Sequence, residues 1–284
     1  MLRRNVYGLA VIPIRDENPT RRRTYLTYLL IALNVAVWLL IQPQSNREAV
    51  IPLPNERTPL ARELARLPDL RFTLAHAAVP CEVAHRRPLT VDEVVATNSR
   101  QGNANACGIR LADNAALGRQ PAFPDKLVWL SVVLSMFLHG GLLHLAGNML
   151  FLFIFGNNIE DRWGSAKFLV FYLASGLVAT IGHVVAQTSS TVPVVGASGA
   201  IAGVMGAYLV LYPNARVTTV FTVFLFYVRK VRAAWILAIW FISQFFLTSG
   251  SGVAWVAHVV GFVFGAAVAF VANGWHAGER VGAG

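Results

Sequence analysis

The sequence predicts an all-α polytopic membrane protein, a bundle of six transmembrane helices. Two observations carry this: a shortage of charge, and long apolar runs bounded by cations. Of 284 residues 55% are hydrophobic and 13% charged, whereas a soluble domain carries about 25% charged residues, so this chain has too few to cover a water-facing surface. Several runs approach the ~20 residues that cross a hydrocarbon core of ~30 Å. The net charge of +10 is spread between these runs, as the positive-inside bias distributes it. It is not gathered on one basic domain, which argues for the lipid bilayer and against nucleic acid as a partner.

The elements follow in chain order. The N-terminal tail, residues 1–24, has an apolar stretch cut by Pro13 and ends in Arg21-Arg22-Arg23. This is not the pattern of a cleavable signal. The paired arginines resemble an export signal, but no small-residue cleavage site follows Ile41, so the run 25–41 reads as a retained first span. Residues 42–126 are rich in Pro, Arg, Asn and acids and lack a strong helical period. They fit either a small exported subdomain or a mobile loop. Cys81 and Cys107 both fall here without metal-ligand spacing, as a disulfide or as two free thiols. A core of 127–273 follows. Its first run, 127–157, is too long for one helix at 1.5 Å per residue, and Gly140-Gly141 divides it into an interfacial piece, 127–138, and a second span, 142–157. The third and fourth spans are 168–186 and 194–212. Residues 217–228 are too short to cross and carry Arg216 at one end and Arg229, Lys230 and Arg232 at the other, so they are expected to lie along the surface. Spans five and six are 233–247 and 253–272, before a C-terminal tail, 274–284. Cations flank the inner ends, while the connections 187–193 and 248–252 carry no charge. Both termini are therefore expected in the cytoplasm and 42–126 outside, in the plasma membrane.

Polar side chains inside spans are costly and mark function. Four stand out: His144 and Asn148 in the second span, Ser198 opening the fourth, and His258 in the sixth. Counting rises from Tyr212-Pro213-Asn214 puts Ser198 several ångströms below the outer surface, with His258, His144 and Asn148 at a similar depth. Gly199 and Gly203 form one small-xxx-small pair, and Gly261 and Gly265 another. A close crossing of these helices would bring a hydroxyl and an imidazole together, as a serine nucleophile requires. His144 and Asn148, four apart, share a helix face and could aim two donors at an oxyanion. Each residue also has a packing explanation, and spacing alone leaves both open. A transporter would show repeats or mid-membrane carboxylates, and a metalloprotease HExxH; neither is present. A histidine-box metalloenzyme would need more clustered histidines than His139 and His144.

The strings HGGLLHLAGNM (139–149), GASGAIAG (196–203) and AHVVGFVFG (257–265), with EDRWG at 160–164, resemble the signature segments of the rhomboid family, in the expected order and over about 127–272. The resemblance implies a rhomboid-like bundle and an intramembrane serine protease. Its catalytic residues would be a dyad of Ser198 and His258 with no acidic third member, and an oxyanion hole from the Ser198 backbone N–H, His144 and Asn148. It implies transmembrane protein substrates, no cofactor and no metal. The chain departs from the family in two places: Trp129 is followed by Leu130 where a Trp-Arg pair is expected, and Ala202 stands where some members place an aromatic against the histidine.

Overall fold

The computed structural model describes residues 11–42, 68–98, 103–111, 118–221, 227–246 and 253–281. Parts of the two tails, 1–24 and 274–284, and of the segment 42–126 therefore lie outside the described residues, as do the connection 248–252 and the middle of 217–228.

Strand β1 (Val11–Asp16) precedes helix α1 (Tyr25–Ala36), which ends in a π turn, Val37–Ile41. Three short helices follow, α2 (Pro68–His76), α3 (Pro80–His85) and α4 (Val91–Asn98). Helix α5 (Val128–Leu134) continues into a 3₁₀ turn, Ser135–Phe137. The main helices are α6 (Leu142–Trp163), α7 (Ser165–Ala186) and α8 (Ser198–Leu211). Strands β2 (Arg216–Phe221) and β3 (Tyr227–Arg232) lead into α9 (Ala233–Gln244) and α10 (Trp255–Val281). The molecule is mostly helical, and among the described residues three helices are long and apolar enough to cross a membrane: Leu142–Trp163, Ser165–Ala186 and Trp255–Asn273.

The all-α expectation needs correction. β1, β2 and β3 form an antiparallel sheet in the order β1-β2-β3, with Val11 opposite Phe221 and Arg216 opposite Arg232. The described ends of the segment expected to lie along the surface are paired strands, β2 and β3. Its Val and Thr residues favour strands, and the N-terminal tail supplies a third strand. The second span also runs past its expected end, to Trp163, because Glu160 is held inside the fold. Its carboxylate accepts hydrogen bonds from Leu26 N (2.9 Å), Thr27 N (2.7 Å), Thr27 Oγ1 (2.7 Å) and Ser165 Oγ (2.7 Å). It satisfies first-turn N–H groups of α1 that have no partner within the helix. Asp16 does the same work from the sheet, accepting from Tyr208 Oη (2.5 Å) and Asn158 Nδ2 (2.7 Å). Charged and polar groups thus pin neighbouring ends of α1, α6 and α8 to one another.

Helix α8 sits at the centre, and every residue from Gly199 to Tyr208 is buried. A helix apolar on all sides is one surrounded by others. It touches α10 backbone to backbone: a Cβ on Gly206 would strike the Phe262 carbonyl, one on Gly261 the Gly199 carbonyl, and one on Gly265 the Gly203 carbonyl. On its other flank a Cβ at Gly199 would come within 2.7 Å of the Ala179 methyl on α7. The small-residue pairs read from the sequence are therefore the crossing itself.

Residues 68–98, 103–111 and 118–126 build a cap at the other end of the bundle. Leu74, Val79, Cys81, Leu89, Val94 and Ala122 make its own apolar cluster. Cys81 and Cys107, open in the sequence between a disulfide and free thiols, are bonded, with 5.8 Å between their Cα atoms. A buried ion pair joins Lys126 to Glu82. Burial raises the Glu82 carboxyl and lowers the Lys126 ammonium, and each partner opposes the other's shift. Of the two sequence readings of 42–126, the described part is a subdomain.

Candidate active site

Each site residue is positioned by a local feature of its element. Ser198 opens α8, so its backbone N–H is one of the four that a helix leaves without an internal partner. The 14 residues of α8 rise only about 20 Å, which keeps Ser198 well inside the bundle's height. The approach to it is held from the cap. Val194 N donates to Ala78 O (2.8 Å), Thr191 N to Ala104 O (2.8 Å) and Cys81 N to Ser190 O (2.9 Å), while the 3₁₀ turn after α5 adds a bond from Gly196 N to Ser135 O (2.8 Å).

The structure brings all four sequence-selected residues to one cleft of about 1330 Å³, lined by Ser198, His258, His144 and Asn148. His258 lies in the first turn of α10, and its Nε2 is 2.8 Å from Ser198 Oγ. The α8–α10 crossing makes this approach possible, since the two glycine pairs begin beside these residues.

His144 and Asn148 face the same space from α6. Gly140 N donates to His144 Nδ1 (3.3 Å). An N–H can only donate, so in the neutral ring the proton is on Nε2. That Nε2 lies 2.8 Å from where a Cβ on Gly196 would stand, and Asn148 Nδ2 is 3.3 Å from the same point. Asn148 Nδ2 is buried and has no partner among the described residues. Gly196 has φ +118°, a conformation side chains rarely adopt. The glycine leaves room for two donors that converge two residues before Ser198, in the cleft that the serine also lines. A developing negative charge there would meet preorganised N–H groups.

Sequence reasoning missed three neighbours. Gln244, the last residue of α9, lies 2.8 Å from His258 Nδ1 through its Oε1. Trp240, one turn earlier, lays its ring 5.7 Å from the imidazole at 36°. An aromatic ring thus packs on the histidine from α9, while Ala202 in α8 is fully buried. His183 on α7 also borders the cleft. A Trp-x-x-x-Gln spacing within an apolar run carries no signal of its own; only the packing of α9 on α10 gives it a partner. His139 is not at the reacting centre. Its ring stacks edge-on to His144 at 5.3 Å, and its backbone is held by Gln42, whose Nε2 donates to His139 O (2.5 Å) and whose Oε1 accepts from His139 N (3.0 Å).

Comparison with known proteins matches residues 126–274, just over half of the chain, to the family described as Rhomboid domain. YdcA of Bacillus subtilis (strain 168) is 40% identical over 88 residues, 30% of this chain and 44% of that one. The rhomboid protease GluP of the same strain is 42% identical over 81 residues, 28% of this chain and 15% of that one. The mitochondrial presenilin-associated rhomboid-like protein of Bos taurus is 33% identical over 99 residues, 34% of this chain and 26% of that one. The matched stretch spans less than half the length of each relative.

Proposed function

The chain belongs to the rhomboid family, and from that premise we propose that it is an intramembrane serine endopeptidase, hydrolysing peptide bonds in or near the transmembrane segments of other membrane proteins. One observation carries the reading: Ser198 Oγ lies 2.8 Å from His258 Nε2 in a cleft that Asn148 also lines, its Nδ2 without a partner among the described residues. His258 accepts the Ser198 proton as the hydroxyl attacks the scissile carbonyl, then returns it to the leaving amine. The tetrahedral oxyanion is held by the Ser198 N–H, His144 Nε2–H and Asn148 Nδ2–H. A water entering through the cleft hydrolyses the acyl-enzyme, the dyad repeating the same two proton transfers. The substrate helix must unwind to expose an amide, which favours helix-breaking or small residues around the cut.

The bilayer is crossed six times in this reading, by the three long helices and by Tyr25–Ile41, Ser198–Leu211 and Ala233–Gln244. The sheet lies at the cytoplasmic end and the cap of 68–126 outside, so the cleft opens to the extracytoplasmic side of the plasma membrane. The test is purified protein with a model transmembrane substrate and a serine-directed fluorophosphonate. Wild type is expected to cleave and to be labelled, and Ser198→Ala to do neither while folding normally. Turnover by Ser198→Ala would end the serine mechanism.

A further inference from the structure

The dyad assigns no role to the second nitrogen of His258, yet a general base needs that nitrogen fixed. A neutral imidazole carries its proton on either nitrogen, and only the form with a bare Nε2 can take a proton from Ser198. Which form is present depends on what Nδ1 faces, and Nδ1 faces Gln244 at 2.8 Å.

An amide side chain offers an acceptor at one end and donors at the other, so its direction must be argued. Here the surroundings fix it. Gln244 Nε2 lies 2.9 Å from the Trp240 carbonyl oxygen, which can only accept, and 3.2 Å from Ser243 Oγ. Ser243 Oγ is itself committed as a donor to the Trp240 carbonyl (2.6 Å) and so is free to accept. Both contacts require the NH₂ group at that end. The amide oxygen is left facing His258, and an oxygen without a proton obliges Nδ1 to carry one. Nε2 is then bare and directed at the serine. The chain of constraint runs from a backbone carbonyl of α9 through one amide to the imidazole of α10. Among the described residues the other titratable groups near this ring are His144 on α6 and His183 on α7, with no carboxylate. The geometry of Gln244 itself argues against simple packing, because a buried amide in an apolar helix is costly unless hydrogen-bonded, and this one, 4% exposed, ends α9 with both its polar ends engaged.

We infer that Gln244 is the positioning residue of the dyad, a neutral third member that holds His258 in its base-competent tautomer and orientation. The inference rests on the serine-protease reading above and adds a residue to it. As an acceptor without charge, Gln244 steadies the imidazolium of the transition state by dipole alone. It does not add a full negative charge to a water-poor site.

The test compares Gln244→Met, which keeps length and is at home in an apolar helix, with Gln244→Glu, which restores an acceptor whether or not its carboxyl is ionised. For Gln244→Met we expect kcat to fall about 10- to 100-fold with KM unchanged, because the site would hold substrate but populate the wrong tautomer; loss of the tautomer-holding aspartate in a full triad drops kcat about 10⁴-fold. For Gln244→Glu we expect most of kcat to return. A packing role gives the opposite order, Met tolerated and Glu defective. A Gln244→Met kcat within twofold of wild type, or Gln244→Glu no better than Gln244→Met at equal melting temperature, would overturn the inference. Wild type that does not cleave at all would instead remove the reading on which it stands.

Discussion

Replacing Gly196 by alanine adds one methyl group at the point where the two side-chain donors converge. The added Cβ would stand 2.8 Å from His144 Nε2, 2.9 Å from His144 Cε1 and 3.3 Å from Asn148 Nδ2. The first two are closer than real Cβ contacts come, so the imidazole must retreat by several tenths of an ångström. The backbone cannot give way easily, since Gly196 N is bonded to Ser135 O at 2.8 Å and φ is +118°. A non-glycine residue held in such a region costs about 1–3 kcal/mol. The larger effect falls on catalysis. Losing one oxyanion donor costs about 10²–10³ in kcat, and here His144 is displaced while Asn148 is crowded. We expect Gly196→Ala to lower kcat at least 10²-fold with a modest drop in melting temperature, and Gly141→Ala, which would meet nothing within 4 Å, to leave kcat nearly unchanged. The assay is steady-state cleavage of a quenched transmembrane substrate in detergent, with melting followed in parallel. A Gly196→Ala enzyme with kcat within threefold of wild type would show that the donors do not act at this position.

Three further outcomes can be checked. Asn148→Ala is expected to lower kcat about 10²–10³-fold with little change in KM, and an unchanged kcat would leave Asn148 as a packing residue. Reducing Cys81–Cys107, whose partners are 26 residues apart, is expected to cost the cap about 3–4 kcal/mol; hydrogen exchange that does not rise at residues 103–108 after reduction would contradict this. The cap should also loosen in strong acid. Burial alone would raise the Glu93 carboxyl, but Arg87 and the Gly108 and Thr90 N–H groups bring it down from 4.5 to about 2. A lowered carboxylate stabilises the fold above its unfolded value and loses that contribution as pH falls through its folded one. The melting temperature of the cap is therefore expected to fall between pH 4.5 and 2, and one that is flat across that window would contradict it.

How much of this was legible in the sequence follows from the range of the forces. Helices α6, α7 and α10 were readable because crossing a bilayer requires a long unbroken apolar run, which is a local property. Ser198, His258, His144 and Asn148 were selectable because a polar group inside such a run stands out, and Gly199, Gly203, Gly261 and Gly265 because only absent side chains permit backbone contact. The sheet was not legible, since β1 and β2 lie some 200 residues apart and neither strand alternates cleanly enough to announce a partner. Residues 68–126 looked irregular because α2, α3 and α4 are short and depend on a disulfide and a buried ion pair, which join distant positions. Gln244 and Trp240 were hidden for the same reason: they matter only through what α10 sets beside them.

Orientation in the membrane is the remaining expectation that a single experiment decides, and the structure improves the experiment. Thr191 would be an obvious probe of the outer connection by charge alone, but it is fully buried, bonded to Ala104 and Thr97, so a cysteine there would be silent on either face. Ser189, two residues earlier, is exposed, as is Arg216 at the sheet. The native cysteines can stay, because both are in the disulfide. Ser189→Cys and Arg216→Cys should then report opposite faces to an impermeant maleimide on intact cells. Arg216, Arg229, Lys230 and Arg232 cluster on β2 and β3, and short cation-rich segments stay inside, so we expect labelling at 189 and none at 216 until the cells are opened. If 216 were labelled and 189 protected, the orientation would be reversed, as it would be if α5 crossed the membrane. Its seven helical residues rise only about 10 Å, against a core of about 30 Å. The short helix and the cation cluster argue against the inverted arrangement on separate grounds, and the reverse labelling pattern would refute both, moving the cleft to the cytoplasmic face.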